Sequence, residues 1–473
     1  MPRPDSDLNA AHLDRVREWY NGAPKTLKWA SLGYRVMLAH YYSLLIPAES
    51  TVLEIGCGTG ELLRRLPARR KVGIDLSEGQ IEAARQKAPD CEFHVQAAES
   101  LDLHERFDCI IVSDTLNFAA DVQRVFERLH AVSHPGTRVI VNYPSALWRP
   151  LFALARSLGL KASAPQSNWL TTADVHGLME LADWRALTTQ ARILSPVRAL
   201  GAGDLANRWI APLLPFFCVT VFSVARSVRA RETGPLAVSV VIPARNEAGN
   251  IEAAVLRTPD MGAGTELIFV EGHSSDNTWE EIERVAAKYP DRRIKILRQT
   301  GTGKGDAVRA GFAAAEGDLF MILDADLTVP PEEMPKFYDA VASGRAEFAN
   351  GSRLVYPMEK AAMRFLNMCA NKAFGILFSR ILGQSLKDTL CGTKVLRRSD
   401  YDRIAANRAY FGDFDPFGDF DLLFGAARLN LKIVDVPVRY RDRTYGSTNI
   451  HRWRHGWLLL RMVLFAARKL KFV

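Results

Sequence analysis

The feature that most constrains this fold is an alternation of strand-like and helical segments that restarts once along the 473-residue chain. Strands that alternate with helices pair in largely parallel sheets, with the helices packed on the sheet faces. Each series predicts four strands, near 51–55, 71–74, 109–112 and 138–142 in the first half and near 238–242, 267–270, 294–297 and 319–323 in the second. The sequence therefore predicts two α/β domains.

The domain boundaries follow from length and composition. A chain of this length exceeds one ordinary domain, and the segment 229–236 is polar and basic with a Gly-Pro break. We predict a first domain over 1–228, a linker over 229–236 and a second domain over 237–473. The charge-free stretch 209–225 is at the short limit for a membrane span. Its prolines and β-branched residues instead favour a loop followed by a buried strand.

Composition narrows the functional classes. The net charge of +8 suits phosphate-bearing ligands or an anionic membrane surface, and we expect no nucleic-acid partner. The six cysteines are scattered among apolar neighbours, which predicts reduced core residues of a cytoplasmic protein. The first residues contain no apolar stretch, so we expect no signal peptide.

A glycine-rich turn follows the first predicted strand. In Glu54-Ile-Gly56-Cys-Gly58-Thr-Gly60 the glycines let the backbone approach a ligand, and the helix that follows offers free N–H groups. Asp75 ends the next strand, where a carboxylate accepts hydrogen bonds from both hydroxyls of a ribose. This spacing predicts a site for an adenosine-containing ligand.

Around these residues the first half resembles class I S-adenosylmethionine-dependent methyltransferases. The segments 73–77, 107–112 and 135–141 follow in that family's order. The resemblance implies a Rossmann-like, seven-stranded sheet with a last, antiparallel strand over 217–227. It also implies that S-adenosyl-L-methionine is bound by Glu54, Gly56, Gly58, Gly60 and Asp75.

One departure from that family concerns the loop that contacts adenine. Ala97 stands where many members carry an Asp, which keeps open a first half that only binds the cofactor or serves as a scaffold. No residue identifies the methyl acceptor. The candidate general bases, each of which an ordinary core or surface role also explains, are Tyr20, Tyr34, His40 and His134.

Two acidic residues, Asp324 and Asp326, directly follow the apolar run 319–323. Carboxylates one residue apart at the end of a buried strand form a hard oxygen site suited to Mg²⁺ or Mn²⁺, which also takes phosphate oxygens. Such a cation holds a departing diphosphate. Polar or loop-forming residues that follow the other strands of this half are Pro243, Arg245, Asn246, Glu247, Glu271 and Lys304.

In their order along the chain, these motifs resemble family 2 glycosyltransferases of the GT-A fold, and among them the dolichol- and polyprenyl-phosphate sugar synthases. The matching segments are 243–247, 303–307, 324–326, 351–353, 388–394, 436–438 and 443–447. The resemblance implies a nucleotide-sugar site formed by Pro243, Arg245, Asn246, Glu247, Glu271, Lys304, Asp324, Ala325, Asp326 and Arg353. It implies metal ligation by Asp324 and Asp326, catalytic roles for these two with Arg353, Arg443 and Ser447, and acceptor contacts from Arg364, Lys394 and Arg443.

Three departures leave the donor open. Glu271 with Gly272 replaces the commoner Asp-Asp, Thr328 stands where Gln is frequent, and Asn449 stands where Lys is frequent. GDP-mannose and a UDP-hexose therefore both stay candidate donors.

A membrane surface is a further predicted partner. The segment 452–473 alternates arginines and lysines with Trp453, Trp457 and leucines, a pattern typical of a basic amphipathic helix that lies on a membrane. We predict a peripheral protein at the inner face of the membrane. Packing of this helix on its own domain is the alternative.

Together these motifs lead to a first hypothesis, a bifunctional enzyme. Its second half transfers a hexose from a nucleotide sugar to a polyprenyl phosphate, and its first half methylates a glycan- or lipid-related acceptor. A phosphate acceptor is already a nucleophile and needs no strong base. The alternative is transfer to a saccharide hydroxyl, with Asp419 or Asp421 as the base and the first half non-catalytic.

Overall fold

The computed structural model describes residues 6–22, 29–157, 168–198, 201–229, 234–356, 365–410, 420–443, 445 and 452–472. The chain divides into two compact units, Met1–Arg229 and Ala230–Lys471. Each unit contains one seven-stranded sheet, which confirms the predicted α/β class. The domain and linker extents given above stay predictions.

Seven strands form the sheet of the first unit. They are β1 (Thr51–Ile55), β2 (Arg70–Asp75), β3 (Glu92–Val95), β4 (Phe107–Ser113), β5 (Ser133–Pro144), β6 (Trp184–Arg192) and β7 (Thr220–Ser227). They lie in the order β3-β2-β1-β4-β5-β7-β6. Strands β1 to β5 are parallel, and β7 is antiparallel to both of its neighbours. The expected antiparallel closing strand is therefore present.

Helices cover both faces of this sheet. They are α1 (Ser6–Gly22), α2 (Trp29–Leu45), α3 (Glu78–Lys87), α4 (Val122–Leu129), α5 (Arg149–Ser157), α6 (Thr172–Leu181) and α7 (Ala202–Leu205). Phe126 of α4 and Met179 of α6 are buried in one core, and Tyr42 of α2 and Ile81 of α3 are buried in the other. Burial of each such side chain contributes about 1.5–3 kcal/mol.

The charge-free stretch contains no helix of membrane-spanning length. A π-helical turn covers Ala206–Ile210, a 3₁₀ turn covers Pro215–Phe217, and β7 follows at once. A loop before a buried strand is therefore confirmed. Across the described parts of both units, no helix combines the length and the apolarity needed to cross a bilayer.

Seven further strands form the sheet of the second unit. They are β8 (Val238–Ala244), β9 (Thr265–Glu271), β10 (Arg293–Arg298), β11 (Leu319–Ile322), β12 (Phe348–Ser352), β13 (Lys394–Arg397) and β14 (Ile433–Pro437), in the order β10-β9-β8-β11-β13-β12-β14. The first four positions are parallel, and β13 is antiparallel to β11 and β12. The carboxyl ends of β8, β9 and β11 therefore meet at one edge.

The helices of the second unit pack on both faces of its sheet. They are α8 (Ile251–Arg257), α9 (Thr278–Lys288), α10 (Lys304–Ala314), α11 (Met334–Ala342), α12 (Phe365–Leu382), α13 (Arg398–Ala406), α14 (Phe420–Arg428) and α15 (Arg452–Ala466). Phe312 of α10 and Phe378 of α12 belong to one core. Ile282 of α9 and Phe337 of α11 belong to the other.

Candidate functional site

The glycine-rich turn after β1 folds over the end of β2. Gly56, Gly58 and Gly60 have φ of +72°, +52° and +69°, in the left-handed region that glycine alone adopts without strain. A Cβ on Gly56 would also collide with the Thr115 side chain. The Gly58 N–H donates to Asp75 Oδ2 over 2.8 Å. The turn and the end of β2 therefore form one backbone cradle.

Asp75 is held in this cradle from two sides. Its Oδ1 accepts the Ser77 N–H at 2.9 Å, while its Oδ2 accepts the Gly58 N–H. Ser77 in turn caps α3 by accepting the Gln80 N–H. These bonds fix a carboxylate at the sheet edge, where the sequence predicts a ribose contact.

Glu54 lies below the same cradle, at the end of β1. Its side chain is buried, and Oε2 has no hydrogen-bond partner within the part of the chain described. Burial, reinforced by Asp75 and opposed by Arg35, raises the pKa of Glu54 to about 8. An orphaned buried carboxyl oxygen costs free energy unless a ligand supplies a donor. The cradle therefore fits a ligand with donor or cationic groups.

Sequence reasoning missed a polar cluster beside this cradle. Asp114 directly follows β4 with φ of +55°, and its Oδ1 accepts from the Asn142 amide at 2.7 Å. The Arg35 guanidinium lies 3.9 Å from Asp114 Oδ2 and 3.4 Å from Ser113 Oγ. The position of Asp114 at a strand end was the available signal, since Asp75 was found in the same way.

The candidate bases of the first unit separate in space. Burial raises the pKa of the Tyr20 and Tyr34 phenols, which disfavours the phenolate form that a base requires. His134 Nε2 lies 3.2 Å from Asp108 Oδ1 near the start of β4, at the opposite edge from the cradle. His40 is exposed on α2. The structure therefore favours none of the four.

In the second unit, Asp324 and Asp326 follow β11 and each faces a basic side chain. Asp324 Oδ1 lies 2.6 Å from Lys304 Nζ. Burial would raise the pKa of Asp324, but the Lys304 ammonium outweighs burial and lowers it. Asp326 Oδ1 accepts from both the N–H and the hydroxyl of Thr328 at 3.1 and 2.8 Å. Asp324 is therefore ionised, and hydrogen bonds or ion pairs orient both carboxylates at the sheet edge.

Arg443 joins the two acidic loops of this edge. One guanidinium nitrogen donates to Glu247 Oε1 at 2.8 Å and another to Asp326 Oδ2 at 2.7 Å. Glu247 also accepts from the Asn250 amide at 2.7 Å. Burial raises the pKa of Glu247, and Arg443 opposes that rise. The C-terminal segment that carries Arg443 therefore contacts the site directly.

The loops after β8 and β9 support each other. Asn246, with φ of +58°, donates its N–H to Ser274 Oγ at 3.0 Å and accepts the Ser275 N–H at 2.8 Å. Glu271 Oε1 accepts the Ser274 N–H at 2.5 Å. Of the remaining predicted nucleotide contacts here, Arg245 is exposed, Pro243 is half-buried and Ala325 is buried.

Two predicted ligand contacts lie deeper than the sequence indicates. Arg353 donates to both carboxylate oxygens of Asp388, from Nε at 2.7 Å and Nη2 at 2.9 Å. Although burial opposes both shifts, this pair raises the pKa of Arg353 and lowers that of Asp388 to about 2. Lys394 is fully buried and donates to the Cys391 carbonyl. Arg353 and Lys394 therefore bind other protein groups beneath the site.

Some predicted residues cannot be placed, and one glycine was missed. Arg364, Ser447 and Asp419 lie outside the described residues. A Cβ on Gly392 would come closer to Asp324 Oδ2 and Lys304 Nζ than van der Waals contact permits. Glycine at this position is what allows the Lys304–Asp324 pair to form.

A metal ion here would need ligands from a bound nucleotide. Within the ranges that the structure covers, no group of three or more His, Cys, Asp or Glu side chains is arranged to hold a metal. Asp324 and Asp326 supply two carboxylates, the ligand type that Mg²⁺ and Mn²⁺ prefer. The donor set fits a cation completed by phosphate oxygens.

Comparison with known families identifies both halves. Residues 239–405 match the family model "Glycosyl transferase family 2", and residues 52–136 match the model "Methyltransferase domain". The chain therefore contains a family 2 glycosyltransferase domain and a methyltransferase domain, as the motifs predicted.

Two curated relatives are polyprenyl-phosphate sugar transferases by name. Dolichol-phosphate mannosyltransferase of Pyrococcus furiosus is 32% identical over 221 residues, which cover 45% of this chain and 59% of the relative. Undecaprenyl-phosphate 4-deoxy-4-formamido-L-arabinose transferase of Pseudomonas aeruginosa is 29% identical over 228 residues, which cover 46% and 61%. The chain thus spans only about three-fifths of the length of each.

Two solved structures are distantly similar. Glucosyl-3-phosphoglycerate synthase of Mycobacterium tuberculosis, in complex with Mn²⁺, UDP and glucosyl-3-phosphoglycerate, is 20% identical. The match covers 50% of this chain and 80% of that one, with a TM-score of 0.36. An S-adenosylmethionine-dependent methyltransferase of Thermotoga maritima is 19% identical and covers 46% and 99%, with a TM-score of 0.34. Scores of this size support no inference about ligands.

Proposed function

We propose that this chain, with its methyltransferase and family 2 glycosyltransferase domains, is a bifunctional enzyme. Its second unit transfers a hexose from a nucleotide sugar to a polyprenyl phosphate with the help of a divalent cation. Its first unit transfers a methyl group from S-adenosyl-L-methionine to a glycan- or lipid-related acceptor. The names of the two curated relatives, both of which contain a polyprenyl phosphate, support this acceptor class for the second unit.

The observation that carries the proposal is the charge arrangement at the edge of the second sheet. Asp324, Asp326 and Glu247 lie there within 2.8 Å of Lys304 or Arg443. Carboxylates bind a divalent cation, and lysine and arginine bind phosphate oxygens. A site that combines both suits a diphosphate that must be held and then released.

The metal role falls to Asp324 and Asp326. Their side chains are 30% and 17% exposed, so both can be reached by a cation that also contacts the nucleotide. The bound cation, Mg²⁺ or Mn²⁺, supplies neutralisation of the charge on the departing diphosphate. Lys304 and Arg443 complement that charge from the protein side.

The chemical step needs few protein groups. An oxygen of the acceptor phosphate attacks C1 of the sugar, the bond from C1 to the diphosphate oxygen breaks, and the nucleoside diphosphate leaves with the electron pair. The acceptor is anionic at neutral pH, so no general base is required. What the chain must do is hold two anions close together, and Arg443 lies where it can do so. Arg353 and Lys394 are positioning residues, and Arg364 and Ser447 stay predicted contacts.

One observation weighs against a saccharide hydroxyl as the acceptor. Such an acceptor needs a base, and Asp421 was one of two candidates. Its Oδ2 lies 2.7 Å from Arg408 Nε, and the side chain is 9% exposed. This ion pair occupies the carboxylate that a general base would have to present to the acceptor hydroxyl. Asp421 is therefore disfavoured as the base, which supports the phosphate acceptor.

For the first unit, the cofactor assignment rests on the cradle. Glu54, Gly56, Gly58, Gly60 and Asp75 meet at one edge, and the orphaned Glu54 oxygen accepts the donor that a cationic cofactor brings. S-adenosyl-L-methionine supplies the methyl group when bound. The polar cluster of Arg35 and Asp114 beside the cradle helps to orient the acceptor nucleophile, which often needs only positioning.

Membrane attachment of the second unit is assigned to α15. Trp457, Leu460 and Leu464 are exposed large apolar residues on this helix, and their spacing places them on one face. Basic residues such as Arg461 and Arg468 accompany them. We assign the enzyme a peripheral position at the inner face of the membrane, since its lipid substrate is there.

The test of sugar transfer uses undecaprenyl phosphate with labelled GDP-mannose or UDP-glucose. We expect label in the organic phase with one of the two donors and only when Mg²⁺ or Mn²⁺ is present. Asp326→Asn removes a metal ligand and should lower the transfer rate by roughly a thousandfold, with little effect on folding. Glu333→Gln, in the 3₁₀ turn before α11, is the control. Label found only in water-soluble saccharide would disprove the phosphate acceptor.

Methyltransferase function has a separate test. Titration calorimetry with S-adenosyl-L-methionine distinguishes a cofactor-binding unit from a scaffold, because a scaffold gives no binding heat at high ligand concentration. Binding without methyl transfer to any lipid or glycan fraction would support the non-catalytic module instead.

A further inference from the structure

The first unit carries an exposed apolar surface that its fold does not use. Between the end of α7 and the start of β7, seven large apolar side chains are each 44–68% exposed. They are Leu205, Trp209, Ile210, Leu213, Leu214, Phe216 and Phe217. Single exposed apolar residues are ordinary, but this concentration within one short segment indicates an interaction surface.

Helix α5 extends the same surface. Leu147, Leu151 and Leu154 are also about half exposed. Trp148 Nε1 donates to the Phe217 carbonyl at 3.2 Å, which fixes the turn before α5 against the turn before β7. We call the two segments together, 147–154 and 205–217, the apolar ledge.

The apolar ledge lies at the edge of the sheet that carries the cofactor cradle. Pro144, at the carboxyl end of β5, pairs with Thr220, the first residue of β7. Strand β5 runs parallel to β4, β1 and β2, so its carboxyl end lies at the same edge as Gly56 and Asp75. A partner on the ledge is therefore brought to the side of the sheet where methyl transfer is proposed.

The chain segments that contain the ledge carry charges of one sign. The segments 145–173 and 205–231 contain no Asp or Glu, while they contain Arg149, Arg208 and further basic residues. Asp204, just before the second segment, is neutralised by Arg198 at 2.8 Å. An apolar surface with Trp and Phe, bordered by arginine and lacking acid, matches the interface of an anionic bilayer.

A second copy of this chain fits the ledge less well. In a two-fold dimer the same patch faces itself, so Arg208 and the other basic residues would face their own copies without an acidic partner. Like charges placed across an interface oppose association. Because the charged residues of the ledge segments are all basic, an anionic bilayer is favoured over a homodimer as the partner.

We propose that the first unit docks on anionic membranes through the apolar ledge. This docking goes beyond the proposed function, because it concerns a surface of the first unit and does not depend on α15. The docking also has a consequence for the class of the methyl acceptor, and this consequence rests on the proposed methyl transfer. A cofactor edge held at the membrane surface selects an acceptor that is a lipid or is linked to one.

The test uses the full chain and flotation with vesicles of phosphatidylglycerol and phosphatidylethanolamine. To remove the contribution of α15, every protein in this test carries Trp457→Asp and Leu464→Asp, and the chain with these two substitutions alone is the parent. In this background Leu213→Asp with Phe216→Asp should lower the vesicle-bound fraction by about tenfold or more. Uncharged phosphatidylcholine vesicles should bind the parent more weakly. Equal flotation of the parent and the ledge variant would overturn the proposal.

A matched control keeps charge and exposure constant. Leu181 and Leu256 are 69% and 61% exposed, similar to the ledge leucines, and neither belongs to the ledge segments. Leu181→Asp with Leu256→Asp should float like the parent. A loss of flotation in this control as large as in the ledge variant would mean that added negative charge, and no defined surface, causes the effect.

The depth of Trp209 in the bilayer and the oligomeric state of the chain test the proposal independently. Brominated lipids should quench the fluorescence difference between the parent and Trp209→Phe, and an unquenched Trp209 would place the ledge outside the bilayer. A dimer in sedimentation that Leu213→Asp dissolves would assign the ledge to a second copy and overturn the membrane proposal. S-adenosylhomocysteine should bind the ledge variant unchanged, so a failure of docking is separable from a failure of cofactor binding.

Discussion

At the carboxyl edge of the first sheet, Glu54, Asp75 and Asp114 gather near Arg35, whose guanidinium stays 3.9 Å from the Asp114 carboxylate. At the corresponding edge of the second sheet, Asp324 and Asp326 each lie within 2.7 Å of a basic nitrogen. The second edge thus pairs both of these carboxylates directly with a basic side chain, whereas the first edge gathers three acidic residues near Arg35.

The difference follows the charge of the proposed ligands. S-adenosyl-L-methionine brings a sulfonium and an ammonium group, which an acidic cradle attracts without a metal. A nucleotide diphosphate brings negative charge, so the second site needs cations that can turn from Asp324 and Asp326 toward phosphate. Two sheets of the same α/β class therefore differ in the charge at their carboxyl edges, because different residues stand at their strand ends.

The largest effect that tests this comparison is expected when a buried basic side chain is removed from the second unit. Arg353→Met leaves Asp388 buried without its bidentate partner. Loss of one member of a buried pair costs about 3–5 kcal/mol of the free energy of unfolding. Urea unfolding followed by tryptophan fluorescence measures this loss.

Lys304→Met provides the contrast for this prediction. The Lys304–Asp324 pair is partly exposed on both sides, so its loss should cost at most about 1 kcal/mol of stability while sugar transfer falls. The double variant Arg353→Met with Asp388→Leu should recover part of the lost stability. Equal destabilisation by Arg353→Met and Lys304→Met would mean that the two pairs do not differ in kind.

The second prediction concerns the space beside the metal carboxylate. Gly392→Ala places a methyl group against Asp324 and Lys304, so the pair must shift. A displacement of about 1 Å in a catalytic group lowers the rate by roughly a hundredfold. Initial rates of sugar transfer measure it, and the stability of the variant should change little.

The control for this substitution is another glycine. At Gly177 an added Cβ meets no atom within 4 Å, and Gly177→Ala should leave transfer unchanged. Transfer by Gly392→Ala at the parental rate would show that the Lys304–Asp324 geometry does not matter for catalysis.

Sequence reasoning recovered β1 and β8 because burial leaves a clear pattern. Both strands are rich in Val, Ile or Leu, as expected for strands covered on both faces. It missed β12, β13 and β14 of the second sheet, and β3 and β6, which lie at the two ends of the first sheet. Strands β3 and β6 each pair on one side only, and Glu92 and Thr189 show how polar such edge strands become.

The site residues also divide into those that the sequence predicts and those that only the fold brings together. Asp75, Asp324 and Asp326 were predictable because each stands at the end of an apolar run. The pairing of Arg353 with Asp388 was not, since 35 residues separate them and only the fold brings them together. Periodicity reports which face is buried, but it holds no information on which distant partner neutralises a buried charge.

The third prediction tests the acidic side of the comparison. Asp75→Asn weakens the acceptor for the Gly58 and Ser77 N–H groups and removes the predicted ribose contact. Loss of hydrogen bonds to a charged group should raise the Kd of S-adenosylhomocysteine about tenfold or more. Calorimetry measures it, with the exposed Asp90→Asn as the control. An unchanged Kd would place the ribose elsewhere.

The last prediction concerns the pH dependence of stability that Glu54 causes. Its pKa is about 8 in the folded chain against an ordinary value of 4.5. Between these values the unfolded chain releases the Glu54 proton and the folded chain keeps it, so stability falls as pH rises. The slope is about 1.4 kcal/mol per pH unit without cofactor, and it vanishes below the lower value, where both states are protonated.

Glu54→Gln should remove this slope, because an amide does not titrate. Unfolding free energies of the parent and the variant, measured without cofactor across this pH window, should therefore converge toward its acidic end and separate toward its basic end. The exposed Glu49→Gln serves as control and should follow the parent. Parallel curves for the parent and Glu54→Gln would mean that Glu54 is ionised in the folded chain and that Arg35 compensates it. The first edge would then carry one more negative charge than the raised pKa of Glu54 implies, and the cradle would be more acidic still.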